Sequence, residues 1–292
     1  MSYTLYLGDY AYSSWSLRAW LLFRRFDIDT AITLLDFHAA TVADQMAQVP
    51  PARTVPTLVT GEGTVIWDSL AIAEELASRH PKAGLWPEDP AARATARALA
   101  CEMHSGFAAL RSHCPMNLRL AYVDCAAPAE VAADLRRIET LWSFARERFG
   151  GDGPWLCGRY SVADAFFAPV AARIAGYGLT VNTVAADYVA AHLADSAFRR
   201  WRAMGLVRGS DLARYAKPYE TTAWPGPQPL AAQAVESGPS ENTACPYSGD
   251  PVTHYLTMDG RTFGFCNAFC RDKTVADPEA WPAFMALVAR EA

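Results

Sequence analysis

Three short segments near the start of the chain constrain its fold more than any other feature: SSWSLRAW at 13–20, TVPTL at 54–58 and WDSLAIAEEL at 67–76. Each sits at a joint of one repeating pattern. YTLYL (3–7) has the dense aromatic and apolar spacing of a strand. Leu17, Leu21, Leu22 and Phe26 follow a period near 3.6, which predicts a helix capped by Ser14 or Ser16 and running to about Phe26. AITLLDF (31–37) reads as a second strand, and residues 40–48 as a short helix closed by Pro50 and Pro51. TLVT (57–60) and TVIWD (64–68) are strands joined through Gly61-Glu62-Gly63, a hairpin signal. Ser69 then opens a helix to about His80. The order βαβ followed by ββα gives one small mixed sheet over residues 1–80.

The rest of the chain divides by composition. PKAGLWPEDP (81–90) is a linker. Helical patterns follow at 91–113, 128–149, 161–176 and about 184–204, so 91–215 is expected to be an all-helical domain. Within it, Ser161 precedes Asp164 by three residues ahead of an apolar run, the signature of a capping box. Residues 216–243 hold five prolines with little periodicity and read as a connector. Residues 244–292 form a third, cysteine-bearing unit. The fold class expected is α+β.

Composition excludes several roles. At 292 residues and 51% apolar content the chain has ample material for a core. A net charge of −5 with mixed signs argues against nucleic acid as partner. No apolar run reaches the roughly 18 residues of a membrane span. The start MSYTLYLGDY lacks the basic-then-apolar order of a secretory signal. Seven cysteines at irregular spacing fit reduced thiols in a cytoplasm better than a disulfide scaffold. Cys101, Cys114, Cys125 and Cys157 show no paired spacing and read as small apolar residues.

The three opening segments also suggest a ligand. An X-Pro bond adopts the cis form far more readily than an ordinary peptide bond. A cis Pro56 would turn the backbone of Val55 outward, where its N–H and C=O can pair with an extended peptide. Ser69 and the first amides of its helix make an anion nest suited to a carboxylate, and Asp68 beside it suits an ammonium. A ligand with a backbone-like middle and an amino-acid end fits, and γ-glutamyl-cysteinyl-glycine is one.

With these segments in this order, residues 3–215 resemble the glutathione S-transferases, with a thioredoxin-like N-terminal domain and a helical C-terminal domain. SSWSLRAW is most similar to the zeta-type branch, which includes maleylacetoacetate isomerases, although Trp15 stands where that branch commonly has Cys. The resemblance implies Ser13 as the thiol-activating hydroxyl, with Ser14 its close rival. It implies Val55 and Pro56 against the cysteinyl part, Asp68 and Ser69 at the γ-glutamyl end, and Arg53 at the glycine carboxylate. Tyr10, Tyr12, Trp15 and His104 are candidates for the acceptor pocket; ordinary packing is the alternative for each. Only a thiolate attacks, and a free thiol of pKa about 8.5 is mostly protonated at neutral pH, so a hydroxyl aimed at the sulfur has a clear task. The function implied is a cytoplasmic, homodimeric transferase using glutathione on a small electrophile, by conjugation or isomerisation. A non-catalytic binding protein and a glutathione-dependent disulfide reductase are the alternatives.

Cys245, Cys266 and Cys270 stand in Cys-x20-Cys-x3-Cys spacing. Two thiols one helical turn apart at a helix start, with a third from a preceding turn, can face one ion. MDGRTFGF between them reads as a hairpin turn at Asp259-Gly260. The segment resembles the small treble-clef-like modules called TRASH or YHS-like domains, which implies zinc. A structural zinc takes four ligands, and His254 is the expected fourth, ahead of Asp250 and Asp272. Three reduced core cysteines in a metal-free module are the alternative.

Overall fold

The computed structural model describes residues 2–123 and 125–289. Its elements divide into two compact units, one from the start of the chain to Leu193 with Asp211–Pro225, the other Ala194–Ser210 with Gly226 onward.

The first unit begins with β1 (Tyr3–Leu7), α1 (Ser14–Arg25), β2 (Ala31–Leu34), a single helical turn α2 (Val42–Gln45), β3 (Thr57–Thr60), β4 (Val65–Trp67) and α3 (Ser69–Arg79). The sheet order is β2-β1-β3-β4. β1 runs parallel to β2 and antiparallel to β3, with Leu5 opposite both Ile32 and Leu58. This is the thioredoxin-like βαβ–ββα arrangement that the strand and helix order implied. Leu5, Leu7 and Leu58 are wholly buried, as are Leu17, Leu22 and Phe23 of α1. The second strand stops at Leu34, short of the expected Phe37, because Asp36 turns the chain by accepting the amide of His38 at 2.8 Å.

The helical part of this unit holds α4 (Pro90–Ser105), α5 (Ala108–His113), α6 (Ala129–Phe149), α7 (Val162–Gly176) and α8 (Thr183–Ala194), plus a two-strand pair of β5 (Ala121–Tyr122) and β6 (Thr221–Thr222). The expected helix 91–113 is broken in two. Gly106 caps α4 through its amide on Glu102, and Phe107 adopts left-handed backbone at φ 56°. α7 is buried and, apart from Asp164 and Arg173, apolar on all sides, as an interior helix should be. The Ser161–Asp164 capping box is present, and Asp164 also accepts from Leu156 N at 3.0 Å and Tyr188 Oη at 2.9 Å.

The second unit contains α9 (Ser196–Val207), β7 (Gln233–Val235), β8 (His254–Met258), β9 (Arg261–Phe265), α10 (Ala268–Ala276) and α11 (Pro282–Val288). The predicted helix at 184–204 is interrupted at Asp195, whose carboxylate caps α9 by accepting from Ala197 N and Phe198 N, each at 3.0 Å. α9 therefore separates from α8 and falls in this unit. β7 lies inside the stretch expected as a connector and pairs antiparallel with β8. β8 and β9 form a hairpin whose turn residues, Asp259 and Gly260, both have positive φ, the two-residue geometry that matches strand twist. Phe263, Phe265 and Phe284 form the small core. Arg199 of α9 grips Asp277 with two hydrogen bonds of 2.8 and 2.7 Å and reaches Glu279 at 3.2 Å. Among the described residues no helix is long and apolar enough to cross a membrane.

Candidate glutathione site and three-sulfur cluster

α1 begins at a crowded joint. Ser13 is its N-cap residue and donates from Oγ to Ser16 Oγ at 2.7 Å, while Ser16 Oγ accepts the Gly8 amide at 2.9 Å. The cap is thus Ser13, one residue before the earlier of the two expected. A side chain on Gly8 would collide with the Phe37 ring and approach Ser13 Cβ to 3.1 Å, so glycine there keeps the joint open. Ser14 lies one residue deeper and is buried. Its Oγ accepts from Arg173 Nη2 at 3.3 Å.

These serines face a cavity of about 710 Å³ lined also by Tyr12, Trp15, Phe37, Arg53, Val55, Arg111, Arg173 and Tyr215. Arg111 sits on α5, the short helix that starts after the break at Gly106–Phe107. Tyr215 stacks on Tyr12 at 4.6 Å, and Tyr12 Oη bonds Asp211 Oδ1 at 3.2 Å. No acidic side chain lines the cavity among the described residues. Its polarity comes from hydroxyls and arginines. Burial pushes the Arg173 guanidinium down to about 10, with Arg111 beside it adding to the fall. Arg18 is buried between the rings of Trp15 (4.9 Å) and Phe166 (5.2 Å), and its three guanidinium nitrogens have no hydrogen-bond partner. Burial, then Arg173 and Arg111, push it down to about 9, while Asp68 pulls the other way. An arginine at that level still carries its charge at neutral pH. Trp15 lies against both cations, with Arg111 4.3 Å from its ring centroid.

The Val55–Pro56 bond is cis, as the sequence suggested, and Pro50–Pro51 is cis as well. Asp68 has left-handed backbone at φ 81° and caps α3, its Oδ1 accepting from Leu70 N at 2.8 Å. Its Oδ2 lies 3.1 Å from His104 Nε2. The carboxylate expected to hold an ammonium is therefore already shared with a histidine. Ser69 is wholly buried and its Oγ has no partner. His104 Nδ1 is likewise buried and unpartnered. Tyr10 and His104 do not line the cavity; Tyr10 is a core residue and His104 packs near Phe166. Sequence reasoning does not single out Arg111 and Arg173, which line the cavity, or Arg18, which packs on Trp15 of that lining. One signal was available: Arg173 is the single cation in an otherwise apolar helix whose only other charge, Asp164, belongs to the capping box, and a buried cation demands a partner.

The second unit brings Cys245, Cys266 and Cys270 together, with their sulfurs all within 4.8 Å of one another. Cys266 and Cys270 sulfurs are 3.9 Å apart. Cys245 lies on a tight turn closed by Cys245 N to Asp250 O at 2.8 Å and Gly249 N to Cys245 O at 2.9 Å. Cys270 is set by Asn267, which caps α10 by accepting the Cys270 amide at 2.8 Å. Ser248 Oγ and Asn267 Nδ2 each lie 3.3 Å from Cys266 Sγ, placed to donate to a thiolate. His254 does not join the cluster. It opens β8 opposite Phe265, and its Nδ1 is engaged with Thr253 Oγ1 at 2.9 Å. Asp250 and Asp272 are also outside it. All seven cysteines are free thiols.

Residues 12–79, which span α1 to α3, match the family model described as glutathione S-transferase, N-terminal domain. A probable maleylacetoacetate isomerase of Caenorhabditis elegans is 35% identical over 99 residues, covering 34% of this chain and 45% of that relative. The chain thus matches less than half the length of this curated relative. A Burkholderia glutathione transferase homolog solved with bound glutathione aligns over 69% of this chain and 96% of its own, at 22% identity and a TM-score of 0.52. The Omega 1C glutathione transferase of Trametes versicolor aligns over 68% of this chain and 90% of its own, at 18% identity and a TM-score of 0.53. At such identities these likenesses establish the fold, which is that of the glutathione transferases.

Proposed function

We propose that the chain is a glutathione transferase that activates the glutathione thiol at the start of α1 for attack on a small electrophile carrying a carboxylate, by conjugation or thiol-assisted isomerisation. The observation that carries this reading is the cavity beside Ser13 and Ser14, where Arg53, Arg111 and Arg173 are present and acidic residues are absent from the described lining. Of the two serines, Ser14 is the better donor to sulfur. Arg173 occupies its oxygen and leaves its own O–H unspent, whereas the Ser13 O–H is directed to Ser16. The unpartnered Ser69 Oγ and the amides at the start of α3 suit the γ-glutamyl carboxylate. Val55 and Arg53 line the same cavity, in keeping with the backbone and glycine contacts expected of them.

The three-sulfur cluster is read as a zinc site in a treble-clef-like module. Sulfurs bound tetrahedrally at about 2.3 Å from zinc stand about 3.8 Å apart, and the Cys266–Cys270 separation of 3.9 Å suits this. With His254 turned elsewhere, the fourth position falls to a solvent molecule or an added ligand. A two-fold dimer and a cytoplasmic setting complete the proposal as the sequence implied.

The test is steady-state turnover with glutathione, comparing an electrophilic α,β-unsaturated acid with its methyl ester. The acid should be preferred, and Arg111→Met should raise KM for the acid with little effect on the ester. Equal rates for acid and ester would remove the anionic acceptor. A chain that exchanges disulfides but forms no thioether would be a reductase instead.

A further inference from the structure

The cysteine cluster has a charged neighbour that the zinc reading does not use. Lys273 follows Cys270 by three residues on α10, which puts the two side chains on one face of the helix. It is 8% exposed. Its Nζ lies 4.3 Å from the ring centroids of both Tyr247 and Trp281, and 5.2 Å from that of Phe269. The box is itself fastened: Trp281 Nε1 donates to the Lys273 carbonyl at 3.1 Å, and Tyr247 Oη bonds Thr274 Oγ1. Among the described residues no carboxylate pairs with this ammonium. Burial disfavours its charge, and Cys270, Cys245 and Cys266 are the groups that favour it.

A buried lysine without an acid partner is costly, and aromatic faces repay only part of that cost. The missing anion is the cluster itself. Three thiolates on a divalent ion leave a net charge of −1, and on a monovalent ion −2. With no carboxylate or histidine among the described residues joining the three sulfurs, such a complex needs a nearby cation.

We propose that Lys273 is the built-in counter-ion of the three-sulfur site, held by the Tyr247–Trp281–Phe269 box where it balances the charge of a thiophilic ion bound by Cys245, Cys266 and Cys270. The inference rests on the metal reading above and adds to it an electrostatic role for a residue that donates no ligand atom. Lys273 is in this sense a positioning residue for charge, and its effect should scale with the charge of the complex it faces.

That scaling supplies the test. Zn(II) and Cu(I) affinities of the full chain are measured by competition with a chromogenic chelator, Cu(I) under reducing, oxygen-free conditions. Lys273→Met should weaken Zn(II) by about 10-fold and Cu(I) by about 100-fold, because the monovalent complex carries twice the negative charge. Lys273→Arg, which keeps the cation in the box, should retain most of both affinities. If Lys273→Met does not fold, Lys273→Gln provides the same comparison. Equal losses for the two ions would make Lys273 a packing residue and overturn the counter-ion role, as would no loss for either. A wild-type chain that binds neither ion overturns the metal reading and this inference together.

Discussion

Arg173 of α7 donates from Nη2 to Ser14 Oγ at 3.3 Å, joining the first turn of α1 to a residue 159 positions later. The same guanidinium donates from Nε to the Cys114 carbonyl at 2.9 Å and from Nη1 to the Pro169 carbonyl at 3.2 Å. Arg173 is thus fixed by two backbone oxygens and leaves its third arm for the serine. A hydroxyl that accepts from a cation becomes a better donor, and its free O–H is available to a thiolate. Ser14→Ala should therefore lower kcat/KM at pH 7 by about 10–100-fold, the scale of one charge-assisted hydrogen bond. The pH–rate profile should move to higher pH, since the bound thiol becomes less acidic. Ser13→Ala should do less. A larger loss in Ser13→Ala, measured in the same assay, would return the role to the cap residue.

Ser69 allows binding and stability to be separated. Its hydroxyl is buried without a partner, so the ligand-free protein carries an unsatisfied polar group. Ser69→Ala should leave thermal stability unchanged or slightly raised. Glutathione affinity should nonetheless fall about 10-fold or more, because the alanine cannot donate to a carboxylate. Calorimetric titration together with a melting curve reads both. A variant that is destabilised yet binds normally would show a structural hydroxyl with its ligand elsewhere.

His192 carries a pH signature. Burial, with Arg25 as a second cause, pushes its imidazole down to about 3 from an ordinary 6.5. It packs against Tyr188 at 4.6 Å and Trp155 at 5.2 Å, and its Nε2 has no partner. Below pH 6.5 the unfolded chain takes up a proton that the folded chain refuses. Folded stability from this group is therefore complete above 6.5 and is lost as pH falls from there toward 3. By pH 4.5 the loss is about 2–3 kcal/mol. His192→Leu should lose that much less stability than wild type between pH 7 and 4.5, by denaturant titration at each pH. Parallel pH dependences in the two proteins would mean that the ring is protonated in the fold.

Much of the fold was legible in sequence because its signals are local. TLVT at 57–60 coincides with β3, the Ser161–Asp164 box is formed, and Asp259-Gly260 makes the hairpin turn. What escaped depends on tertiary neighbours. β7 has no strand signature of its own in Gln233–Val235 and exists because the edge of β8 offers it hydrogen bonds. Arg173 and Arg111 become cavity residues only once α7 packs on α1 and the chain breaks after α4. Ligand chemistry alone favours His254, but its ring stays outside the three-sulfur group and its Nδ1 is engaged with Thr253 Oγ1.

The last prediction concerns metal removal and follows from where α9 resides. Sequence alone grouped all residues to 215 with the helical domain, which would leave everything before 216 indifferent to a chelator. In the structure α9 falls in the second unit and Arg199 is clamped by Asp277 and Glu279, just beyond α10. Asp277 Oδ1 also accepts from Ala280 N at 3.3 Å, so the clamp is part of the turn that leads to Trp281. The core of this unit is small, and on the metal reading proposed above a bound ion would add to its order. Strong chelation should therefore expose cleavage sites in 226–289 and also in 196–207, while 2–193 stays protected. Limited proteolysis with mass mapping, before and after chelation and again after adding Zn(II), reads the pattern. Glutathione affinity should be unchanged throughout, because every residue assigned to that site lies in the first unit. Cleavage confined to 226–289 would show that the Arg199 clamp holds α9 without the ion. A pattern identical with and without chelator, in protein that elemental analysis finds metal-free, would make the three cysteines a packed cluster of thiols.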